Sequence, residues 1–403
     1  MNEVERYLAK AAGKDRVKPG DDITVKVDLV ISHDVTGPMA ADEFEKIGID
    51  RVFDDKKVVF VFDHIMPAAT VDAKALHHRV KNFSRRYHTV LYDKGQGVIH
   101  QVVAERHPLD RGAVVIGADS HTCMAGAYGA IAIGVGASEL AATMATGTID
   151  IEVPEVYEIK LEGDFNPGVY AKDLILYLIG KYGTDGFTDK CVVYSGSAVT
   201  KMSVEEKMTI SNMGIEMGAM ISYFSNREDV GPVLDTQTFN LGEIVPSLAC
   251  PPSPGNVVPV EQAAGTPITQ VVIGSCTNGR MSDMKIAAEV LNGLKVHDDV
   301  TLIVVPASDK ILEEMDDQGI TKVLRQAGAL VTNPGCGPCF GAHLGLLTKD
   351  DVAVSTTNRN FPGRMGHREA KVYLASPRTA AESAVAGKVV VPGTVKPLEG
   401  GGW

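Results

Sequence analysis

The residues best equipped for chemistry are two cysteines in Cys336-Gly337-Pro338-Cys339 and a third upstream, Cys276 in Ile273-Gly274-Ser275-Cys276-Thr277-Asn278-Gly279-Arg280. Three thiolates converging from two loops would hold a metal or a cluster while lacking a fourth protein ligand. Iron–sulfur clusters are commonly held by four cysteines. A set of three leaves one metal ion open to water or substrate, as in catalytic rather than structural zinc sites. The C-x-x-C alone also fits a redox dithiol, although no small domain surrounds it and Cys276 is then unexplained. A structural zinc would want a fourth Cys or His, and His343 lies near enough in sequence to be considered. Spacing leaves cluster, zinc and dithiol open.

Asp63-His64 and Asp119-Ser120-His121 pair histidines with nearby carboxylates, the parts used in general acid–base chemistry. His100 follows Gly97-Val98-Ile99. Any one such pair is compatible with a satisfied internal hydrogen bond. Arg359 and Arg364 could clamp carboxylates bidentately, or be ordinary surface arginines. Ser203-Val204-Glu205-Glu206 is a capping box that predicts a helix through about Met220. Asn212 and Glu216 on it would share one face, a spacing that a solvated surface also shows.

Strands must deliver these groups. Val58-Val59-Phe60-Val61-Phe62 is a continuous apolar run, the pattern of a strand buried on both faces of a parallel sheet, and it ends in Asp63-His64. Val114-Val115-Ile116-Gly117 ends in Asp119-Ser120-His121-Thr122, Gln270-Val271-Val272-Ile273 in Ser275-Cys276, and Val352-Ala353-Val354 in Asn358-Arg359-Asn360. A β-branched strand over Asp22 to Ile31 runs into His33-Asp34. Polar residues thus recur at the carboxyl ends of apolar strands, the edge where open α/β sheets bind ligands. Helices are predicted at the N-terminus and over Gly126 to Met144. Residues 225–268, with Pro232, Pro246, Pro251, Pro252, Pro254 and Pro259, read as a linker or long loop before a second α/β unit that begins near Ile268. The division expected is an N-terminal set of α/β units over 1–267, whose segments could interleave, and a C-terminal α/β unit over 268–403 carrying the cysteines. The Gly400-Gly401-Gly402-Trp403 tail has no structural pattern.

At 403 residues the chain is long for one core. Hydrophobic content of 44% with 22% charged residues fits a globular enzyme. A formal net charge of -12 argues against a nucleic-acid surface. No basic-then-apolar leader opens the chain, and no window approaches the roughly 20 apolar residues of a membrane span. Six cysteines in this length are not a disulfide framework. A reducing, cytoplasmic location is expected, with Cys123, Cys191 and Cys250 as small buried hydrophobes.

Taken together, Gly117-Ala118-Asp119-Ser120-His121-Thr122, Ile273-Gly274-Ser275-Cys276-Thr277-Asn278, Gly335-Cys336-Gly337-Pro338-Cys339 and Asn358-Arg359-Asn360-Phe361 resemble the aconitase superfamily. Within it the chain is most similar to the large subunits of 3-isopropylmalate dehydratase and homoaconitase. The match runs in order almost end to end, to Ala375-Ser376-Pro377. The resemblance implies a three-layer α/β/α aconitase-type core and an oxygen-sensitive [4Fe–4S] cluster on Cys276, Cys336 and Cys339, whose open iron acts as a Lewis acid. It implies that His64, supported by Asp63, protonates the leaving hydroxyl, that His100 pairs with Asp119, and that His121 pairs with Glu216. Asn212 and Asn358 match residues that contact the cluster region; Ser120, Arg359 and Arg364 match substrate ligands. Single-chain aconitases carry a further C-terminal swivel domain with a catalytic serine base. Its lack here implies a separate small subunit that supplies the base. The implied reaction is isomerisation of 2-isopropylmalate to 3-isopropylmalate by dehydration and rehydration, in leucine synthesis. Homoaconitate, methylmalate/citraconate and 2,3-dimethylmalate systems are the alternatives. A cluster-free RNA-binding regulator and a structural zinc protein are rivals from other classes.

Overall fold

The computed structural model describes residues 1–396, so the glycine-rich tail ending at Trp403 lies outside the described residues. The chain divides into two compact units with interleaved segments. The first holds residues 1–94, 102–164 and 185–241, and the second 95–101, 165–184 and 242–403.

In the first unit a five-stranded sheet runs in the order Val90–Tyr92, Val58–Val61, Leu29–His33, Val114–Gly117, Ile131–Gly134. Every neighbouring pair is parallel. Val58, Val59, Phe60 and Val61 are all buried, as a strand covered on both faces requires. Phe60, Phe44 and Tyr87 close around Phe83 in edge or tilted contacts of 4.6–5.7 Å between rings. Burying each such ring is worth about 2–3 kcal/mol. The chain enters at the central strand Leu29–His33, winds outward through two strands, then returns to Val114–Gly117 on the other side. The point where the winding reverses therefore lies between the carboxyl ends at His33 and Gly117, the standard ligand crevice of such sheets. A second, four-stranded parallel sheet of this unit orders Ile221–Phe224, Cys191–Ser195, Val156–Glu162 and Asp235–Asn240. Asp22–Lys26 pairs antiparallel with Thr148–Glu152, so the strand expected over Asp22 to Ile31 is two strands.

The second unit repeats the winding. Its seven-stranded sheet runs Val257–Pro259, Ser247–Ala249, Lys371–Leu374, Val352–Ser355, Gln270–Gly274, Thr301–Val305, Leu330–Val331. The last five are mutually parallel and the first two antiparallel. Its reversal falls between Gln270–Gly274 and Val352–Ser355, the two strands that lead into Cys276 and Asn358.

Three expectations are corrected. The helix over Gly126 to Met144 is instead a 3-10 helix Ser120–Tyr128, a strand Ile131–Gly134 and a helix Ala137–Thr146. Small residues there serve close approach, since a Cβ on Gly126 would fall 1.8 Å from the Ser222 carbonyl oxygen. The helix opened by Ser203 keeps its capping box but ends at Asn212, and Met213–Met217 is a separate 3-10 turn. The proline-rich stretch 225–268 contains strands Asp235–Asn240, Ser247–Ala249 and Val257–Pro259. Pro259 closes the edge strand of its sheet, a place where a missing N–H is tolerated.

The turn into Cys276 depends on backbone shape. Gly274 has φ +137° and Ser275 φ +67°, and a Cβ on Gly274 would sit 2.0 Å from the Val305 carbonyl oxygen. Gly274→Ala is expected to lose on the order of 3 kcal/mol. Denaturant unfolding of the full chain checks this; an unchanged midpoint would show that the turn relaxes freely.

Candidate functional site

The first unit gathers its titratable groups at the reversal of the five-stranded sheet. Asp34, fully buried, accepts the backbone N–H of His64 (3.0 Å) and of Ile65 (3.0 Å), and its Oδ2 lies 3.1 Å from His77 Nε2. Burial works against its charge, but these hydrogen bonds and the nearby histidines hold its carboxyl down to about 2. Asp34 therefore fixes the turn that presents His64. The His64 ring Nδ1 is 2.6 Å from Asp63 Oδ1, and its Nε2 is 3.9 Å from Asp119 Oδ2. Burial disfavours the imidazolium, yet the carboxylates of Asp63, Asp119 and Asp34 outweigh it and raise His64 to about 9. His33 stacks on this ring, centroids 3.9 Å apart. Its Nδ1 accepts from Val35 N (3.2 Å), which places the neutral ring's proton on Nε2, toward Thr36 Oγ1 (3.1 Å) and Asp119 Oδ2 (3.5 Å). Burial, and then the charge on His64, push His33 down to about 4. One ring of the stack is thus cationic and the other neutral at pH 7.

His33, Asp34, Asp63 and His64 bring their ligand atoms within 4.8 Å of one another. The set reads as a proton-handling cluster rather than a metal cage. Asp34 and Asp63 already spend lone pairs on N–H donors, and the two rings stack face to face instead of converging edge-on. Sequence reasoning did not single out His33, Asp34 or His77. His33-Asp34 at the end of its strand was a legible signal, whereas His77 comes from a helix distant in the chain.

Asp119 also caps the following 3-10 helix, accepting the His121 N–H at 2.7 Å. His121 Nε2 lies 3.2 Å from Glu216 Oε1, and Ser120 Oγ lies 3.4 Å from His121 Nδ1. Asn212 is fully buried at the end of its helix with Nδ2 3.6 Å from Met124 Sδ. His100 belongs to the second unit, at the start of helix Ile99–Arg106, and Asp119 to the first.

The second unit holds the cysteines. Cys276, Cys336 and Cys339 are all buried. Cys276 follows the strained turn after Gln270–Gly274; Cys336 caps the 3-10 turn Gly337–Phe340, whose Gly337 has φ +57°, and Cys339 lies within it. Asn358 links two of them: its Nδ2 donates to Cys276 Sγ at 3.4 Å, and Cys339 Sγ donates to its Oδ1 at 3.6 Å. Arg364 Nη2 lies 3.8 Å from Cys339 Sγ. Arg359 follows Asn358 directly and is half-buried. A lone tetrahedral ion with Zn–S near 2.3 Å would draw its sulfurs within about 4 Å of one another. Among the described residues no cysteine set has that compactness. Buried thiols spread more widely, with N–H donors aimed at sulfur, fit an iron–sulfur cluster in which each cysteine takes a separate iron.

A family model described as the aconitase family (aconitate hydratase) matches residues 7–235 and 234–387. The chain belongs to the aconitase family, hydro-lyases that carry a [4Fe–4S] cluster. It is 44% identical to the 3-isopropylmalate dehydratase large subunit 1 of Methanopyrus kandleri, over 96% of this chain and 98% of that one. It is 42% identical to a probable methanogen homoaconitase large subunit of Methanothermobacter thermautotrophicus, over 97% of each. Among solved structures, the holo-form of Thermococcus kodakaraensis aconitase X shares the fold, with TM-score 0.54 and 12% identity over 89% of this chain and 88% of that one. Among the described residues no helix is long and apolar enough to cross a membrane.

The raised His64 gives a direct test. Its imidazole should titrate near pH 9 by NMR, and Asp63→Asn should bring the midpoint down by more than one unit. Because the folded value lies above the ordinary 6.5, the stability His64 contributes is full below pH 6.5 and is lost as pH rises through about 9. A midpoint near 6.5 in the unaltered protein would remove the cationic assignment.

Proposed function

We propose that this chain is the large subunit of an iron–sulfur hydro-lyase that isomerises 2-isopropylmalate to 3-isopropylmalate by dehydration and rehydration. The observation that carries the reading is the trio of buried thiols, two of them joined through the Asn358 amide, in a chain of a [4Fe–4S] family. Cys276, Cys336 and Cys339 hold the cluster, which when bound offers an open iron as a Lewis acid to the substrate hydroxyl and carboxylate. Asn358 and Asn212 shape the surroundings of the cluster. Arg359 and Arg364 bind substrate carboxylates, with Ser120 as a further hydrogen-bonding ligand.

His64 is the acid. Its raised proton affinity keeps Nε2 protonated at neutral pH, while the 2.6 Å contact to Asp63 fixes the ring and stabilises the cation. The proton goes to the leaving hydroxyl, which departs as water, and rehydration reverses the transfer. His121 with Glu216, and His100 and Asp119, orient the hydrogen bonding that surrounds this proton. A separate small subunit supplies the base that removes the proton alpha to a carboxylate; relatives of this chain are called large subunits. The substrate assignment follows those relatives, and a relative called a homoaconitase makes homoaconitate the second reading.

The test pairs the anaerobically reconstituted chain with its small subunit and compares hydration of 2-isopropylmaleate, citraconate, dimethylmaleate and homoaconitate. Isopropylmaleate should be clearly preferred, and activity should fall as pH rises through about 9, where His64 loses its proton. His64→Asn should lower kcat about 100-fold or more. Preference for another acid would reassign the substrate, and full activity of the large subunit alone would overturn the partner's role.

A further inference from the structure

The amino ends of the strands in the five-stranded sheet carry a cleft that the acid–base chemistry does not use. Leu29 opens the central strand, Lys57 directly precedes Val58, and Ala113 directly precedes Val114. All three line a cleft of about 530 Å³, a size that suits a small molecule. At about 3.3 Å per residue, a strand's length of roughly 13 Å or more separates it from the groups at the carboxyl ends. Tyr7, from helix Glu3–Ala11, forms one wall, its ring pressed so closely on Gly112 that a Cβ there would fall 2.0 Å away. Arg111 is held beside it, donating to the Tyr223 hydroxyl at 2.8 Å and the Phe224 carbonyl at 2.9 Å, with Glu3 3.6 Å away. Asp28 Oδ2 accepts the Val114 N–H at 2.9 Å, which ties the rim to the sheet.

Charge sets this cleft apart. Five fixed cations line it, Lys10, Lys26, Lys56, Lys57 and Arg111, against two carboxylates, Asp28 and Asp110. Among the described residues the four lysine ammoniums make no hydrogen bond or ion pair. Other lysines of this unit find partners: Lys46 meets Glu43, Lys81 meets Asp93, and Lys201 meets Asp164. The chain carries 51 acidic against 39 basic residues, so carboxylates are not scarce. Gathering unpaired charges of one sign in a concavity focuses the field and raises the local concentration of counter-ions. A polyanion longer than the cleft would run onto a chain of net charge -12, which restricts the occupant to a small molecule. Leu29, Pro108 and Ala113 supply apolar contact for a carbon skeleton.

We propose that this cleft is a second ligand site of the chain, taking a small metabolite that carries two or more negative charges. It is independent of the cluster reading, since all of its residues belong to the first unit. Lysine ammoniums meet phosphate and carboxylate alike as point charges, so both kinds of anion share the required chemistry. The experiment is calorimetric titration of the full chain with pyrophosphate, adenosine triphosphate and citrate, and with acetate as the monovalent control. It is repeated on Lys56→Gln/Lys57→Gln and on Lys310→Gln/Lys322→Gln, a pair of exposed lysines in the second unit. Circular dichroism checks each fold. At least one multivalent anion should bind with a sub-millimolar Kd, and acetate should not. Lys56→Gln/Lys57→Gln should weaken that binding about 10-fold, the loss of two exposed ion pairs. The distant pair should match the unaltered chain.

Binding of the two phosphate compounds without citrate assigns the site to phosphate-bearing ligands, and citrate alone assigns it to polycarboxylates. Binding of all three assigns it to charge. Absence of binding by any of them at millimolar concentration overturns the proposal. So does binding that Lys56→Gln/Lys57→Gln leaves unchanged, which would place the anion elsewhere, as on the arginines expected to hold substrate. Equal weakening by the distant pair would trace the effect to net charge and also overturn the site. If Lys56→Gln/Lys57→Gln does not fold, Lys10→Gln/Lys26→Gln, both exposed, is read in the same way. Failure of both pairs to fold assigns the lysines to stability and overturns their role toward a ligand.

Discussion

A parallel sheet covered on both faces leaves a polar side chain one place to go. Along Val58–Val61 or Gln270–Gly274 every position is buried, and a charge there would lack partners. Polar chemistry is therefore forced to the carboxyl ends of the strands, and in each unit it concentrates where the winding reverses and neighbouring loops part company. Both units obey this rule with different chemical contents. One places histidines and carboxylates there and the other cysteines, an asparagine and two buried cations, Lys172 and Arg280.

In the first unit the consequence is a graded electrostatic field within a few ångströms. Three carboxylates surround two stacked imidazoles, and burial together with the repulsion between the rings leaves only one of them with a second proton. His64 has Asp63 at hydrogen-bonding distance, while His33, 3.5 Å from Asp119, stacks on the charged ring. Asp34 acts on this division twice, through its charge and through the loop it holds. By gripping two backbone amides and His77 it holds the loop that carries His64, so the ring meets Asp63 in one orientation.

Most of the strands were legible in the sequence because short β-branched runs have few other ways to be buried. The residues at their ends were legible for the same reason: Asp63-His64, Asp119, Cys276 and Asn358 each follow such a run. Tertiary packing hid the rest. Ala- and Gly-rich sequence around 126–134 suggests a helix by composition, yet Ser222 approaches so closely that Gly126 has no room for a side chain. Prolines in 225–268 suggest a linker, although edge strands tolerate them. Asn212 and Glu216 look like one helical face only while the helix is taken to continue past Asn212. Lys172 was invisible as a buried group, since a lysine beside an aspartate in a helix reads as surface, and its acceptors lie at 278 and 356–357.

The interleaving of segments has a temporal meaning. Helix Ala171–Tyr182 emerges from a ribosome well before strand Gln270–Gly274, and earlier still than Thr356 and Thr357. Through that interval the Lys172 ammonium has none of the acceptors that bury it, and residues 95–101 likewise wait for Ala307 and Ser308, which meet Gly97 and Val98. The second unit therefore cannot be completed until its last segments have been made. A fragment beginning at residue 242 would leave out the helix whose Lys172 bonds the Cys276 and Asn358 turns.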